Sequence, residues 1–126
     1  MIFMKKILLI DDEQMLCTLV KKNLEITGEF SVTTLSDPRF AVETALRAKP
    51  DVILLDVMMP GTSGSAVAAL LRDKGVTNNA PIIFLTGILS PQEVNSKDNI
   101  IGNEYFVAKP VAIPDLIAVI KRVSGG

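Results

Sequence analysis

The sequence offers few side chains able to do chemistry, and most of them are carboxylates. An acidic triplet, Asp11-Asp12-Glu13, follows the aliphatic run KILLI (6–10), and Asp56 follows DVILL (51–55). Thr86-Gly87 comes directly after PIIFL (81–85), and Lys109-Pro110 after EYFVA (104–108). There is no histidine, which removes Ser-His catalysis, His-ligated zinc and any phosphohistidine carried by this chain. The single cysteine, Cys17, excludes an internal disulfide and a Cys-based metal site. Its neighbours Leu16, Leu19 and Val20 mark it as a small buried hydrophobe.

Asp11, Asp12 and Asp56, if brought together, repel one another, and burial raises their pKa values. A divalent cation relieves both costs, and hard carboxylate oxygens suit Mg²⁺. A site holding Mg²⁺ attracts a phosphoryl group, whose oxygens it neutralises. Lys109 adds a second, mobile positive charge. Thr86 can donate a hydrogen bond to a phosphoryl oxygen, and Gly87 leaves room beside the backbone. A carboxylate held there is a competent nucleophile, since aspartyl phosphate is a known type of covalent intermediate. Each residue alone has a plainer explanation: a turn aspartate, a strand-end threonine, a surface lysine.

The elements that position these residues alternate between two kinds. KILLI, DVILL and PIIFL are continuous apolar runs, as expected of strands buried on both faces. EYFVA reads as a further strand, and FSVTTL (30–35) is more polar and fits an edge. Helical spacing appears near 13–27, where Leu16, Leu19, Val20 and Leu24 share a face that Gly28 can terminate. A second helix over 38–48 has Asp37 as N-cap and Pro38 at its first position. A third, near 64–74, opens around Ser65 and closes at Gly75. The last, near 113–123, places Ile113, Leu116, Ile117 and Ile120 on one face. Between them, 90–101 opens with a capping-box pattern, Ser90 and Glu93 around Pro91. Asn95, Ser96, Asp98 and Asn99 then predict a short or movable helix.

The order βαβαβαβαβα predicts an α/β fold: a five-stranded parallel sheet, doubly wound as (βα)5, with right-handed crossovers. In such sheets ligands bind beyond the carboxyl ends of the strands. Those ends carry Asp11-Asp12-Glu13, Asp56, Thr86-Gly87 and Lys109. Ser36-Asp37, at the end of the second strand, does not belong with them. No amphipathic pattern requires such a gathering, and it points to a phosphoryl site.

At 126 residues the chain fits one domain, spanning 1–126. A net charge of −1 without a Lys/Arg-rich run, few aromatics and no tryptophan argue against direct nucleic-acid binding. The longest N-terminal apolar run, Ile7 to Ile10, ends at once in three acids. It fits neither a signal peptide nor a membrane span, so the expected location is cytoplasmic.

With these residues in order, the sequence resembles the receiver domain of two-component response regulators, a group that includes the chemotaxis receiver. The likeness runs over essentially the whole chain. Asp11-Asp12 matches the family's acidic pair, Asp56 its phosphoacceptor, and the stretch through Pro60-Gly61 to Gly64 its following loop. Thr86-Gly87 matches the switch hydroxyl and the small residue after it. Lys109-Pro110 matches the lysine with its usually cis prolyl bond, and Gly102 stands where the family's GA-x-x-Y segment begins. The resemblance implies a flavodoxin-like fold and a switch rather than an enzyme. It implies Mg²⁺ held by Asp12, by Asp11 partly through water, by Asp56 and by the Met58 carbonyl. Glu13 is then a first-turn helix residue complementing the dipole, outside the metal set. The implied partners are a sensor histidine kinase or histidine phosphotransfer protein, and a downstream output domain or target. The implied switch face is formed by the fourth helix, fifth strand and fifth helix.

The family's switch aromatic falls three residues before the lysine, at Phe106; packing in the fifth strand accounts for the same residue equally well. Tyr105 then points to the opposite face. Met58 and Ile88 lie two residues beyond Asp56 and Thr86, and in the resembling fold they flank the phosphoryl group. Both are apolar, which predicts a long-lived phosphoform. One alternative is a pseudo-receiver that binds partners without phosphorylation, although such proteins typically lack an acidic, Asp or Lys position present here. A haloacid-dehalogenase-like phosphatase wants a second Asp where this chain has Met58, and its nucleophile on the first strand. A flavodoxin-like cofactor binder wants a phosphate-cradling loop where this chain has Asp-Asp-Glu.

Overall fold

The computed structural model describes residues 4–125. Five parallel strands form the body of a six-stranded sheet: β1 (Lys5–Ile10), β2 (Phe30–Leu35), β3 (Val52–Asp56), β6 (Ile82–Thr86) and β8 (Glu104–Ala108). Two residue pairs in the loop after β3, β4 (Met58–Met59) and β5 (Thr62–Ser63), form a small antiparallel ladder of their own. A two-residue strand, β7 (Ile100–Ile101), pairs antiparallel with β8. The spatial order is β2-β1-β3-β6-β8-β7. The flavodoxin-like prediction therefore stands, with an antiparallel edge and a loop ladder that strand periodicity does not register.

The helices are α1 (Gln14–Glu25), α2 (Ala41–Ala48), α3 (Gly64–Asp73), α4 (Pro91–Ser96) and α5 (Ile113–Ser124). They divide the core in two according to the parity of the strand residues. Ile7, Leu9, Val52, Leu54, Ile83, Leu85 and Val107 face one way and pack with α1 and α5. Leu8, Ile10, Ile53, Leu55, Ile82 and Phe84 face the other way, against α2 and α3. Full burial of each such side chain contributes about 1.5–3 kcal/mol before chain entropy is set against it.

Because both faces of β3 are apolar, alternation alone does not penalise a one-residue slip. Its two ends fix the register instead. Asp51 accepts a hydrogen bond from the Lys6 N–H at 2.7 Å, and its own N–H donates to the Lys6 carbonyl at 2.7 Å. The opposite end then places Asp56 just past the apolar run. β2 is the outer strand, burying Phe30 and Val32 while Ser31, Thr33 and Thr34 stay exposed.

The helix ends differ in detail from the sequence expectations. Asp37 does cap a helix start, accepting from the Arg39 N–H, but it opens a 3-10 turn (Pro38–Phe40) that passes into α2. The cap of α3 is Ser63, which accepts from the Ala66 N–H at 3.1 Å, so the helix itself opens at Gly64, one residue before Ser65. The Ser90–Glu93 capping box forms as expected. α4 is indeed short, and it buries only Val94.

Candidate functional site

The carboxyl ends of β1, β3, β6 and β8 meet in a depression of about 240 Å³. Its lining includes Glu13, Asp56, Met58, Thr86, Ile88 and Lys109. Asp11 lies at the end of β1 and is fully buried; Asp56 is 5% exposed. One carboxylate oxygen each from Asp11, Asp12 and Asp56 lies within 4.8 Å of the others.

Lys109 is the counter-charge. Its Nζ lies 2.9 Å from Asp11 Oδ2, 2.9 Å from Glu13 Oε1 and 3.2 Å from Asp56 Oδ1. Its backbone N–H donates to the Thr86 carbonyl at 2.7 Å, which ties the ends of β6 and β8 together. The Lys109-Pro110 bond is cis. Burial alone lowers an ammonium pKa. Here the hydrogen bond to Glu13 and the close charges of Asp11 and Asp56 outweigh it and hold Lys109 well above the ordinary lysine range. Asp56 shows the opposite balance. Burial, then the neighbouring Asp11, raise its carboxyl pKa, and Lys109 together with the Met58 N–H offsets only part of the rise.

One ammonium thus faces three carboxylates, and Asp12 adds a fourth negative charge to the cluster. Asp11 Oδ2, although paired with the lysine by charge, accepts no hydrogen bond of good geometry. A buried, under-satisfied carboxylate oxygen beside two more hard oxygen donors is a donor set that fits Mg²⁺. Asp11 Oδ1 is engaged differently, accepting the Glu13 N–H at 2.9 Å.

The loops around the depression are held by short local bonds. Asp56 Oδ1 accepts the Met58 N–H at 3.3 Å, and Thr86 Oγ1 accepts the Ile88 N–H at 3.1 Å. Gly64 closes the loop after β3, with its N–H donating to the Val57 carbonyl at 2.7 Å. A Cβ at Gly64 falls 2.4 Å from the Asp56 carbonyl oxygen, so no other residue fits without moving the backbone. Sequence reading placed Gly64 in the loop without seeing this contact, because it depends on how closely α3 approaches β3.

Residues 7–121 match the sequence profile of the response regulator receiver domain. This chain belongs to that family. Among its relatives is the alkaline phosphatase synthesis transcriptional regulatory protein PhoP of Bacillus subtilis. It is 35% identical over 123 residues, which cover 94% of this chain and 48% of that protein. The phosphate regulon transcriptional regulatory protein PhoB of Rhizobium meliloti is 34% identical over 118 residues, covering 94% and 51%. This receiver thus spans about half the length of the curated relatives it matches. The chemotaxis protein CheY4 of Vibrio cholerae superposes with a TM-score of 0.79 at 31% identity, over 96% of this chain and 99% of that one. A putative response regulator from Chloroflexus aurantiacus, at 21% identity, reaches 0.80 over 98% and 100% and speaks to the fold alone.

The structure brings Asp11, Asp12, Asp56, Thr86, Lys109 and Met58 of the receiver to one place, and Ser36-Asp37 is not among the lining. Glu13 stands at the N-cap of α1, one residue before its first turn. Its side chain makes no capping bond to α1 and instead accepts from Lys109. Sequence spacing could not show this, since it depends on how far two long side chains reach. Phe106 is half-buried and stacks on Phe84, ring centroids 5.4 Å apart at 27°. Tyr105 points to the other face as expected, packing on the α1–α5 core with the Arg122 guanidinium 5.5 Å over its ring. Cys17 is buried, and burial, then Asp11, push its thiol up to about 11. Among the described residues no helix is long and apolar enough to cross a membrane.

Proposed function

We propose that this receiver accepts a phosphoryl group on Asp56 from a phosphohistidine of a partner kinase or phosphotransfer protein, with Mg²⁺ as cofactor. The observation that carries this reading is the ammonium of Lys109 set between Asp11 and Asp56 in a cluster with excess negative charge. The side chains of Asp12 and Asp56, Asp11 partly through water, and the Met58 carbonyl would hold the cation. When bound, it neutralises the carboxylates and the incoming phosphoryl oxygens.

The chain's own residues do the rest. An Asp56 carboxylate oxygen attacks phosphorus, the O–P bond forms, and the P–N bond to the partner's imidazole breaks with its electron pair leaving on nitrogen. Positioning and charge dominate this type of transfer. Asp56 is positioned by the Met58 N–H and the close passage of Gly64. Lys109 takes up the added negative charge. The Thr86 hydroxyl, now held by the Ile88 N–H, is freed to donate to a phosphoryl oxygen, drawing the loop before α4 inward. Phe106 follows by repacking against Phe84, since it has no hydroxyl. The face formed by α4, β8 and α5 then shifts its population toward a form read by an output domain or target protein.

Incubation with acetyl phosphate and Mg²⁺ tests this reading by mass spectrometry. One phosphoryl group should add to the wild type, and none to Asp56→Asn or to the wild type in chelator. An absence of adduct under every condition would favour a phosphorylation-independent binding module.

Met58 and Ile88, 66% and 68% exposed, line the depression. Apolar groups there obstruct an attacking water and offer it no hydrogen bond. Met58→Asn and Ile88→Glu are therefore each expected to hydrolyse the phosphoform several-fold faster, as followed by loss of the adduct over time. Unchanged or slower decay removes this role for the pair.

A further inference from the structure

We infer that Glu13 is a positioning residue that holds Lys109 in the resting state and must release it when the phosphoryl group arrives. The inference rests on the proposed role of Asp56 and adds a competitor for the lysine within the same site.

Three features single out Glu13 among the four carboxylates. Its backbone is fixed on both sides: the N–H donates to Asp11 Oδ1 at 2.9 Å, and the carbonyl accepts the Cys17 N–H at 3.1 Å as α1 begins. As the residue preceding α1 it could have capped the helix, yet its side chain makes no such bond. The carboxylate turns back to Lys109, giving a 2.9 Å hydrogen bond of good geometry, whereas Asp11 Oδ2 at the same distance has none.

The other three carboxylates form the group that would hold a metal ion, and a bound cation would share their negative charge. Glu13 lies outside that group and keeps its full attraction for Lys109. The three N–H donors of Lys109 already face Asp11, Glu13 and Asp56, so a phosphoryl oxygen on Asp56 competes with Glu13 for the ammonium. The side chain of Glu13 is 58% exposed, so its hold is screened. An ion pair of that exposure corresponds to about a two- to fivefold change in equilibrium, not orders of magnitude.

Beryllofluoride, a phosphoryl mimic, measured by fluorescence or NMR titration at fixed Mg²⁺, separates positioning from plain charge. Glu13→Gln removes both the charge and the pair. Glu13→Asp keeps the charge but is one methylene too short for Lys109. Both variants are expected to bind beryllofluoride about two- to fivefold more tightly than the wild type. Both are also expected to take phosphoryl from acetyl phosphate correspondingly faster, with Mg²⁺ affinity of the free protein unchanged in Glu13→Asp. If Glu13→Asp matches the wild type while Glu13→Gln does not, only charge matters and the holding role is overturned. A several-fold loss of Mg²⁺ affinity in Glu13→Asp also overturns it, by placing Glu13 in the metal set. Failure of the wild type to bind beryllofluoride at all would instead strike the underlying phosphoryl reading.

Discussion

Gly64→Ala is expected to lose about 2–3 kcal/mol of stability and to melt roughly 6–12 °C below the wild type. The added methyl lies 2.4 Å from the Asp56 carbonyl oxygen and 3.0 Å from the Val57 Cα. Both contacts are backbone, so no side-chain rotamer can relieve them. Either α3 withdraws, straining the 2.7 Å bond from the Gly64 N–H to the Val57 carbonyl, or the end of β3 moves. The second response displaces Asp56 itself. Misplacement of a reacting group by about 1 Å can cost on the order of a hundredfold in rate, so adduct formation from acetyl phosphate should fall well beyond what unfolding explains. Gly87→Ala is the control: a Cβ there meets nothing within 4 Å, and its melting temperature should stay close to that of the wild type. Thermal melts and urea titrations check both, and a Gly64→Ala protein as stable as the control would contradict the geometry.

Lys109→Met is expected to destabilise the metal-free protein by about 3 kcal/mol at neutral pH, because it strands buried carboxylates without a counter-charge. The loss should depend on pH in a defined direction. With the lysine present, burial and Asp11 already hold the Asp56 pKa above its ordinary value of 3.8. Removing the ammonium removes the main opposing influence, so the folded-state pKa rises further. A group whose folded pKa exceeds its unfolded value contributes stability that is fully present below the unfolded value. That contribution is lost as pH rises through the folded one. The variant should therefore approach the wild type near the unfolded Asp pKa and fall progressively behind toward pH 7. Millimolar Mg²⁺ should recover part of the deficit at neutral pH. Denaturant titrations across that range test this; a deficit independent of pH would show that lost packing of the lysine stem, not charge, is responsible.

The elements that carry the site were legible in the sequence because they are the most constrained parts of it. β1, β3 and β6 are apolar on both faces, and only a doubly covered parallel sheet accommodates that. Once those strands are assigned, their carboxyl ends identify Asp11, Asp56 and Thr86 with no knowledge of side-chain placement. What was not legible depends on short-range geometry. The segment Thr62-Ser63-Gly64-Ser65 offers two serines near the start of α3, and the pairing of Met58-Met59 with Thr62-Ser63 sets Ser63 as the cap. β7 is two residues long, too short to show a period. The Glu13–Lys109 pair joins residues 96 positions apart through two flexible side chains.

The outer margin of the sheet beyond β8 has a consequence for the partners this receiver can take. β7 pairs with Glu104 and Tyr105, and the next residue is closed by Asn99. The Phe106 N–H donates to the Asn99 carbonyl at 2.9 Å, and the Asn99 amide donates to the Phe106 carbonyl at 3.0 Å. Asp98, Asn99 and Asn103 all adopt left-handed backbone conformations with φ between 56° and 67°, which curls the segment rather than extending it. Arg122 fastens it through the Asp98 carbonyl at 2.7 Å. The main-chain groups of β8 at residues 104–106 are thus taken up by β7 and Asn99, which leaves the two residues of β7 as the edge on this side. A protein that docks on the α4–β8–α5 side finds an edge of only two residues there, so side chains and shape, rather than strand addition, must carry most of its hold.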